Sequence, residues 1–385
     1  MDITIRLILF LSVFLLIYGA LHYYFYKKLT AVVTLGPCTR IAIGITLLVL
    51  LLCPILINYC ATRINHTLIT IMAFSGYEWM GFLFLFFSLH LLFDLYGILN
   101  DKLRHKKSFR NRVAKPAGST SFIATLITVF LILVFGTFEA QDIRTERLVL
   151  NSEKLPSCKN YLRIVQISDT HFNAIRGQGL ARKIIAIIRK LEPDLLVFTG
   201  DFCDKSIDHI ERISAMFRGL KVPMGKYSVT GNHEFYHGID ESIKIMESAG
   251  FKVLRNEITT AGAAADIVGV DDEAASRFGL EHDNNVCDLL RRASKKRFTI
   301  LLKHRPRVDN RCTDLLDLQL SGHTHGGQIF PFDIISSIFF PYHNGLYSIG
   351  EESLIYVSRG TGTWGPPVRF LSPPEITVID VQTRK

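Results

Sequence analysis

Residues 161–171 read YLRIVQISDTH, an apolar run that ends in a serine, an aspartate and a histidine. Short apolar runs of this kind alternate with amphipathic stretches through the rest of the chain, and the alternation predicts an α/β domain. Strands are expected at residues 163–168, 194–199, 227–230, 266–270, 298–303, 318–321, 354–358 and 376–381, and helices at 180–191 and 207–220.

Polar side chains follow these predicted strands at the point where each strand ends. The carboxyl ends of strands in an open α/β sheet meet at one edge, so we expect these side chains to converge there. Carboxylate, amide and imidazole ligands suit Mn, Fe or Zn and differ from the thiolates of a structural zinc site. Asp201 is the best placed to bridge two such ions, which would lie about 3.5 to 4 Å apart. The residues concerned are Asp169, His171, Asp201, Asn232, His233, His304, His323 and His325.

Five short motifs contain these residues, and their order resembles that of the calcineurin-like metallophosphoesterase superfamily. The motifs are Ser168-Asp169-Thr170-His171, Gly200-Asp201, Gly231-Asn232-His233-Glu234, Lys303-His304 and Gly322-His323-Thr324-His325. Three longer stretches, SGHTHGGQIFPF at 321–332, VGVDD at 268–272 and YVSRGTGTWGPPVRF at 356–370, resemble the bacterial membrane-associated branch typified by the YkuE and YaeI proteins. The resemblance covers about residues 161–381.

The resemblance implies the four-layer α/β/β/α sandwich of that superfamily and a phosphoric ester hydrolase that uses two divalent ions. One ion would be held by Asp169, His171 and His325. The other would be held by Asn232, His304 and His323, with Asp201 shared between the two. His233 resembles the superfamily's histidine that contacts the phosphate and protonates the leaving oxygen, a role that a positioned imidazole performs well.

Residues 1–140 contain four apolar stretches long enough to cross a bilayer, which takes about 20 residues as helix. They lie at residues 5–26, 41–61, 69–98 and 121–138. The first exceeds the apolar part of a cleavable signal, and no small-residue cleavage site follows it, so we expect it to remain. Residues 141–160 are polar and of mixed charge, which predicts a linker before a catalytic domain at 161–385.

The formal net charge of +9 suggests a nucleic acid partner, but many basic residues lie in short loops where they set membrane topology. We therefore expect no nucleic acid partner. The loop at residues 100–120 carries seven Lys or Arg residues and the loop after the first helix carries three, against two on the other side. Because basic loops stay in the cytoplasm, four spans predict a multi-pass protein of the cell membrane whose catalytic domain lies outside the cytoplasm.

Two further segments each have two interpretations. Arg359 follows a predicted strand and precedes glycine-rich residues 360–365, so it either binds a substrate phosphate or belongs to a tight surface turn. The apolar run at residues 334–342 is too short to span a membrane. It either dips into the membrane surface, contacts an acyl substrate, or is buried in the core.

The seven cysteines show no metal-finger spacing. Cys38, Cys53 and Cys60 lie in or beside apolar segments and are expected to act as small hydrophobic side chains. A disulfide is expected in the second half if that half faces an oxidising compartment, but the sequence does not choose a pairing. The candidates are Cys158, Cys203, Cys287 and Cys312.

The function expected is a membrane-anchored hydrolase of a phosphodiester, pyrophosphate or phosphomonoester. Membrane anchoring raises the local concentration of lipid-linked substrates, and the resemblance suggests a UDP-diacylglucosamine-like pyrophosphate. That nucleotide-linked substrate is cytoplasmic, whereas the loop charges place the domain outside, so an envelope phospholipid or an undecaprenyl-type phosphate is the alternative. The alternative function is a non-catalytic membrane sensor or scaffold with a structural metal site.

Overall fold

The computed structural model describes residues 3–60, 64–104, 116–156, 161–204, 210–280 and 286–383. The chain divides into two compact units. Met1–Phe138 and Pro366–Val368 form the first unit, and Glu139–Gly365 and Arg369–Lys385 form the second. All of the predicted metal ligands therefore belong to the second unit.

The first unit consists of long apolar helices, as the sequence predicted. They are α1 (Ile3–Val32), α2 (Pro37–Cys60), α3 (His66–Arg104) and α4 (Gly118–Glu139). Each contains a stretch long and apolar enough to cross a membrane: Ile8–Val32, Pro37–Ile57, Thr67–Lys102 and Gly118–Glu139. These stretches match the four expected spans in number and order.

Two polar residues within the apolar helix α3 form hydrogen bonds to neighbouring helices. Asp94 accepts a hydrogen bond from the Tyr24 hydroxyl at 2.6 Å and pairs with the Lys28 ammonium at 2.5 Å, both on α1. His90 Nδ1 lies 3.0 Å from the Thr125 hydroxyl of α4. Because a polar group in an apolar layer needs a partner, these contacts fix how the helices associate.

The second unit contains two six-stranded sheets, and in each the spatial order of the strands differs from their order along the chain. In the first sheet the order is β1 (Arg144–Ser152), β12 (Glu375–Thr383), β2 (Tyr161–Ile167), β3 (Leu195–Phe198), β4 (Lys226–Ser228) and β5 (Lys252–Val253). In the second sheet the order is β10 (Gly345–Ser348), β11 (Leu354–Val357), β9 (Leu318–Ser321), β8 (Phe298–Leu302), β7 (Ala265–Gly269) and β6 (Glu257–Ala261).

Helices cover the outer faces of both sheets, which gives the predicted four layers. The first sheet is covered by α5 (Gln178–Leu191), α6 (Ile210–Arg218) and α8 (Ile239–Ser248), and the second by α9 (Val286–Arg291). Alternate residues of one strand point to opposite faces. On β2, Ile164 faces the core between the sheets, whereas Val165 faces the helices. Both faces are buried, so the strand is apolar throughout.

Two short helices lie near the strand ends in addition to these. They are α7 (Asn232–His237) and α10 (Phe332–Phe339). Within the described ranges, 3-10 turns lie at Glu273–Phe278, Thr313–Leu315 and His325–Gly327.

The prediction that residues 141–160 form a linker is wrong for the central part of this segment. Arg144–Ser152 forms β1, which pairs in parallel with β12 from Arg144↔Glu375 to Ser152↔Thr383. Most of its side chains are exposed, and Leu150 alone within it is buried. Backbone pairing with β12 holds the strand, and Leu150 and Leu148 add apolar contacts to the core between the sheets. The apolar run at residues 148–150 is only three residues long, which is too short to predict a strand from the sequence.

One disulfide joins α9 to the turn before Thr313. It pairs Cys287 with Cys312, which the sequence left as one of several combinations. Among the described residues, the free cysteines are Cys38, Cys53, Cys60 and Cys203. Cys158 lies outside the described residues.

Replacing Phe217 tests the packing under the first sheet. Its ring is fully buried on α6 and contacts the rings of Phe172, Phe202 and Phe251 at centroid distances of 5.9, 5.7 and 6.0 Å. Phe217→Ala is expected to lower the free energy of unfolding by about 3 to 5 kcal/mol, because it leaves a cavity. Pulse proteolysis of the full chain in urea measures this.

The matched control is Val149→Ala, at an exposed position of β1, where the change is expected to stay within about 0.5 kcal/mol. Equal stability of the Phe217→Ala and Val149→Ala variants would contradict the packing described.

Candidate metal centre

The predicted ligands follow strands of both sheets and meet at one edge. Asp169 and His171 follow β2, and Asp201 follows β3. Asn232 and His233 begin α7 after β4, which brings the third loop of the first sheet to the same place. The second sheet contributes His304 after β8, and His323 and His325 after β9.

The ligand loops adopt backbone conformations that L-residues rarely take. Among the described residues, nine other than glycine have a positive φ, and five of these are predicted ligands. They are Asp169, His171, Asp201, His323 and His325. Such conformations cost free energy and persist only where the surroundings enforce them, so this clustering marks a site in which side-chain direction is imposed.

Glycines allow the loops to approach one another closely. A Cβ at Gly231 would collide with the carboxylate of Asp201, and a Cβ at Gly322 would collide with the side chains of Ser168 and Asp169. Glycine is thus required at these two motif positions by the space available.

The first candidate ligand group consists of Asp169, His171 and His325, the side chains that the resemblance assigns to one ion. Their ligand atoms all lie within 4.8 Å of one another. His171 Nε2 is 3.1 Å from His325 Nε2, and His325 Nε2 is 3.5 Å from Asp169 Oδ1. Atoms bound to one ion at about 2.0 to 2.2 Å lie about 3 to 3.5 Å apart, so the spacing fits a shared cation.

The second ligand group brings together Asn232, His304 and His323. His304 Nε2 is 3.2 Å from Asn232 Oδ1 and 3.2 Å from His323 Nδ1. His304 Nδ1 lies 2.7 Å from the carbonyl oxygen of Thr199 and donates to it. This bond leaves the lone pair of Nε2 directed into the group, the orientation that a metal-binding imidazole needs.

Asp201 stands between the two groups. Its Oδ2 is 3.6 Å from His171 Nε2 and 3.3 Å from His304 Nε2, whereas its Oδ1 accepts the backbone N–H of His233 at 2.9 Å. One carboxylate oxygen therefore faces both ligand groups. The contact fits the bridging position expected for Asp201.

Glu234 holds the Asp201 loop in place, and sequence reasoning gave it no role although it lies in a quoted motif. Its buried carboxylate accepts the backbone N–H groups of Asp201 at 3.0 Å, Phe202 at 2.8 Å and Gly231 at 2.6 Å. Three bonds from one side chain tie the loop after β3 to the start of α7.

The buried charges shift one another's pKa values. Burial disfavours the charged form of Asp201, yet His304 and His233 hold the pKa of its carboxyl well below the usual range. Burial likewise opposes charge on His304, but Asp201 and Asp169 raise its pKa to about 10. Burial, with the positive groups nearby, lowers the pKa of His325. The carboxylates thus create a negative field that suits cations, and a neutral imidazole is the form that binds a metal.

Asp204 is a site residue that sequence reasoning missed. Its Oδ1 lies 3.0 Å from His171 Nδ1 and 2.9 Å from His233 Nδ1, so one carboxylate contacts a ligand histidine and the candidate catalytic histidine. The only signal was an aspartate three residues after Asp201, in a loop without recognisable secondary structure. Burial lowers the pKa of His233, but Asp201 and Asp204 outweigh burial and raise it to about 9.

Arg359 is engaged by two carboxylates. Its Nη2 lies 2.6 Å from Glu375 Oε2 and 2.5 Å from Glu146 Oε1. Its substrate-binding role stays a prediction, and we give it no part in the mechanism below. A second arginine, Arg369, is fully buried and donates to the carbonyl oxygen of Gly362 at 2.6 Å. Its Nη2 lies 3.3 Å from His325 Nδ1.

Aromatic rings border both sides of the site. The Phe340 ring lies edge-on to His323 with centroids 5.1 Å apart. The Trp364 ring, which is 55% exposed, lies edge-on to His233 at 6.3 Å. The polar centre therefore has an apolar rim, which the sequence indicated only as aromatic content near the motifs.

Comparison with known proteins identifies relatives of this chain. Residues 162–327 match the calcineurin-like phosphoesterase family. An uncharacterized metallophosphoesterase of Aquifex aeolicus is 33% identical over 258 residues, which are 66% of this chain and 98% of that protein. The metallophosphoesterase YkuE of Bacillus subtilis is 35% identical over 64% of this chain and 87% of its own length.

Relatives with membrane segments are also found. A transmembrane protein with metallophosphoesterase domain from Danio rerio is 30% identical over 305 residues, 75% of this chain and 70% of that protein. Four membrane-capable helices precede the catalytic unit here as well. The chain thus belongs to the calcineurin-like metallophosphoesterases, as its five motifs predicted, and is a membrane-associated, metal-dependent phosphoesterase.

Proposed function

We propose that this protein hydrolyses a lipid-linked phosphate ester with the help of two divalent ions held at the edge of its sheets. The observation that carries the proposal is the position of Asp201, whose Oδ2 lies within 3.6 Å of a histidine from each ligand group. A single carboxylate shared in this way is the arrangement that a two-ion site needs.

The residues divide between the ions as the resemblance implied. One ion would be held by Asp169, His171 and His325, and the other by Asn232, His304 and His323, with Asp201 shared. These side chains offer oxygen and imidazole nitrogen only, which suits Mn, Fe or Zn. When bound, such a pair of ions polarises phosphoryl oxygens and makes water acidic enough to attack phosphorus.

His233 supplies the acid in this proposal. Its Nδ1 lies 2.9 Å from Asp204 Oδ1, and we assign Nε2, on the other side of the ring, to the substrate. Burial opposes charge on this ring, but Asp201 and Asp204 raise its pKa to about 9, which favours the protonated form. A protonated imidazole stabilises charge on the leaving oxygen and then donates its proton to it. Asp204 acts as a positioning residue by orienting the ring.

The catalytic domain is proposed to lie outside the cytoplasm. Ten basic residues at the helix ends and connections of one side, against two on the other side, favour this orientation of a four-span, multi-pass chain. The Cys287–Cys312 disulfide supports it independently, because disulfides persist in oxidising compartments and are rare in the cytosol.

This orientation bears on the substrate. An envelope phospholipid or an undecaprenyl-type phosphate is accessible from outside the cytoplasm. A UDP-diacylglucosamine-like pyrophosphate would require the opposite orientation. The disulfide and the loop charges therefore favour a lipid phosphate without a nucleotide.

A non-catalytic sensor or scaffold is the alternative function. Such a protein would need its metal site for structure alone, and its ligand groups would not need an acid beside them. The contact between His233 and Asp204 at the edge of both groups favours an enzyme.

Replacing Asp201 tests the two-ion site. Asp201→Asn is expected to lower hydrolysis of bis-p-nitrophenyl phosphate with Mn on the order of a thousandfold, because shared metal ions supply several kcal/mol of charge stabilisation. Bound Mn, measured by elemental analysis, is expected to fall as well. Asp314→Asn, at an exposed carboxylate away from the site, is the matched control. Full activity of Asp201→Asn would sink the proposal.

Replacing His233 tests the acid. His233→Gln is expected to slow hydrolysis of diphenyl phosphate at least about tenfold more than that of bis-p-nitrophenyl phosphate, because the more basic phenoxide needs protonation more. Asp204→Asn should show the same selective loss to a smaller extent, with bound Mn unchanged. His237→Gln serves as a neighbouring control without selectivity. Equal losses on both esters would exclude His233 as the acid.

A C-terminal fusion tests the orientation. Alkaline phosphatase joined after the last residue is expected to be active, because that enzyme folds only where its disulfides form. Placing the fusion in the Asp201→Asn background ensures that the fused enzyme supplies the signal. Green fluorescent protein fused at the same point serves as the converse reporter. Fluorescence of that fusion, together with an inactive alkaline phosphatase fusion, would show that the catalytic domain lies in the cytoplasm.

A further inference from the structure

The helix α10 turns its apolar side chains outward. Ser336 is its one buried residue, whereas Ile338 is 74% exposed and Phe339 is 69% exposed. Ile334 and Ile335 are exposed as well. This arrangement excludes core burial, one of the interpretations of residues 334–342. A soluble domain would bury these side chains, so their exposure indicates a surface that meets an apolar phase.

Neighbouring segments extend the exposed surface. Ile329 and Phe370 form a β-bridge, and the N–H of Phe330 donates to the carbonyl oxygen of Phe370 at 3.1 Å. This pairing places Phe330 beside Leu371, which is 66% exposed. We define the apolar patch by six exposed residues: Phe330, Ile334, Ile335, Ile338, Phe339 and Leu371. Asp333 is the one charged residue in the sequence from 329 to 342.

The apolar patch is rigidly connected to the metal centre. Gly327 ends the turn that begins at the ligand His325, and a Cβ at Gly327 would collide with the backbone of Asp333 in α10. Phe340, directly after α10, packs its ring on the ligand His323. The patch and the ligands therefore share one edge of the domain.

The second unit begins at this same edge. Glu139, the final residue of α4, accepts a hydrogen bond from the backbone N–H of Leu371 at 3.0 Å, and Leu371 belongs to the apolar patch. Five residues later, Arg144 begins β1 and pairs with Glu375, at the end of the sheet where the predicted ligands follow β2. Five residues reach at most about 18 Å, so the start of β1 lies within that distance of Glu139 along the chain.

We propose that the apolar patch inserts into the interfacial layer of the bilayer, so that the metal centre opens onto the phosphate groups of membrane lipids. The occupant is the lipid surface itself, because an apolar helix without buried apolar side chains lies beside the attachment point of a membrane span. The inference rests on the proposed function for its substrate, whereas the insertion stands on the geometry alone. A lipid phosphate would then reach His233 and the ligands without leaving the membrane.

Photocrosslinking of the full chain in nanodiscs tests this insertion. Nanodiscs of phosphatidylethanolamine and phosphatidylglycerol receive the protein with p-benzoylphenylalanine in place of Phe339 or Ile338. Val149 is the matched control position, because it is 61% exposed and pairs with Asp380, towards the sheet edge opposite the metal centre. Mass spectrometry is expected to find at least five times more lipid adduct at 338 and 339 than at 149.

A ratio below fivefold overturns the inference, and so does crosslinking at 338 or 339 to a second copy of the chain. Adding Ile338→Glu to the probe at 339 should lower the lipid adduct at least threefold, and an unchanged yield counts against insertion. Hydrolysis of bis-p-nitrophenyl phosphate by the same samples separates the two proposals. Lipid adducts without any hydrolysis would reject the proposed function and leave the insertion intact.

Discussion

The contact on which the rest of the catalytic unit depends is the one between Asp201 and the histidines of both ligand groups. Its Oδ2 faces His171, which follows a strand of the first sheet, and His304, which follows a strand of the second. The two sheets must therefore pack with their strand ends level to within a few ångströms. The buried layer between them, which includes Ile164 and Ile300, sets this alignment.

Close approach of the loops has a conformational cost that the surroundings offset. Five ligands adopt a positive φ, and such strain persists only if other bonds enforce it. Glu234 provides three of these bonds to the backbone around Asp201. A carboxylate that binds no substrate is thus as necessary for the geometry as the ligands themselves, because it satisfies N–H groups that water cannot reach.

The start of the catalytic unit, at Glu139, and the predicted ligands lie at the same edge of the domain. Strand β1 follows the last apolar helix and enters the first sheet beside the ligands, and Leu371 of the apolar patch bonds to Glu139 at that junction. The lipid substrate that we propose requires a site near the membrane interface, and a short covalent connection to the last apolar helix meets this requirement without a separate binding domain. The rings of Phe340 and Trp364 add an apolar rim beside the polar metal centre.

By itself, the sequence determined the α/β class, the four apolar helices, the family and the set of candidate ligands, because each depends on local periodicity or on motifs a few residues long. Only the tertiary structure decided that β1 is a strand, that Cys287 pairs with Cys312, that Asp204 contacts His233, and that α10 exposes its apolar face. These features join residues distant in the chain through backbone pairing or single contacts. Such contacts leave no periodic pattern, since the partner of each side chain is chosen by packing rather than by its neighbours in sequence.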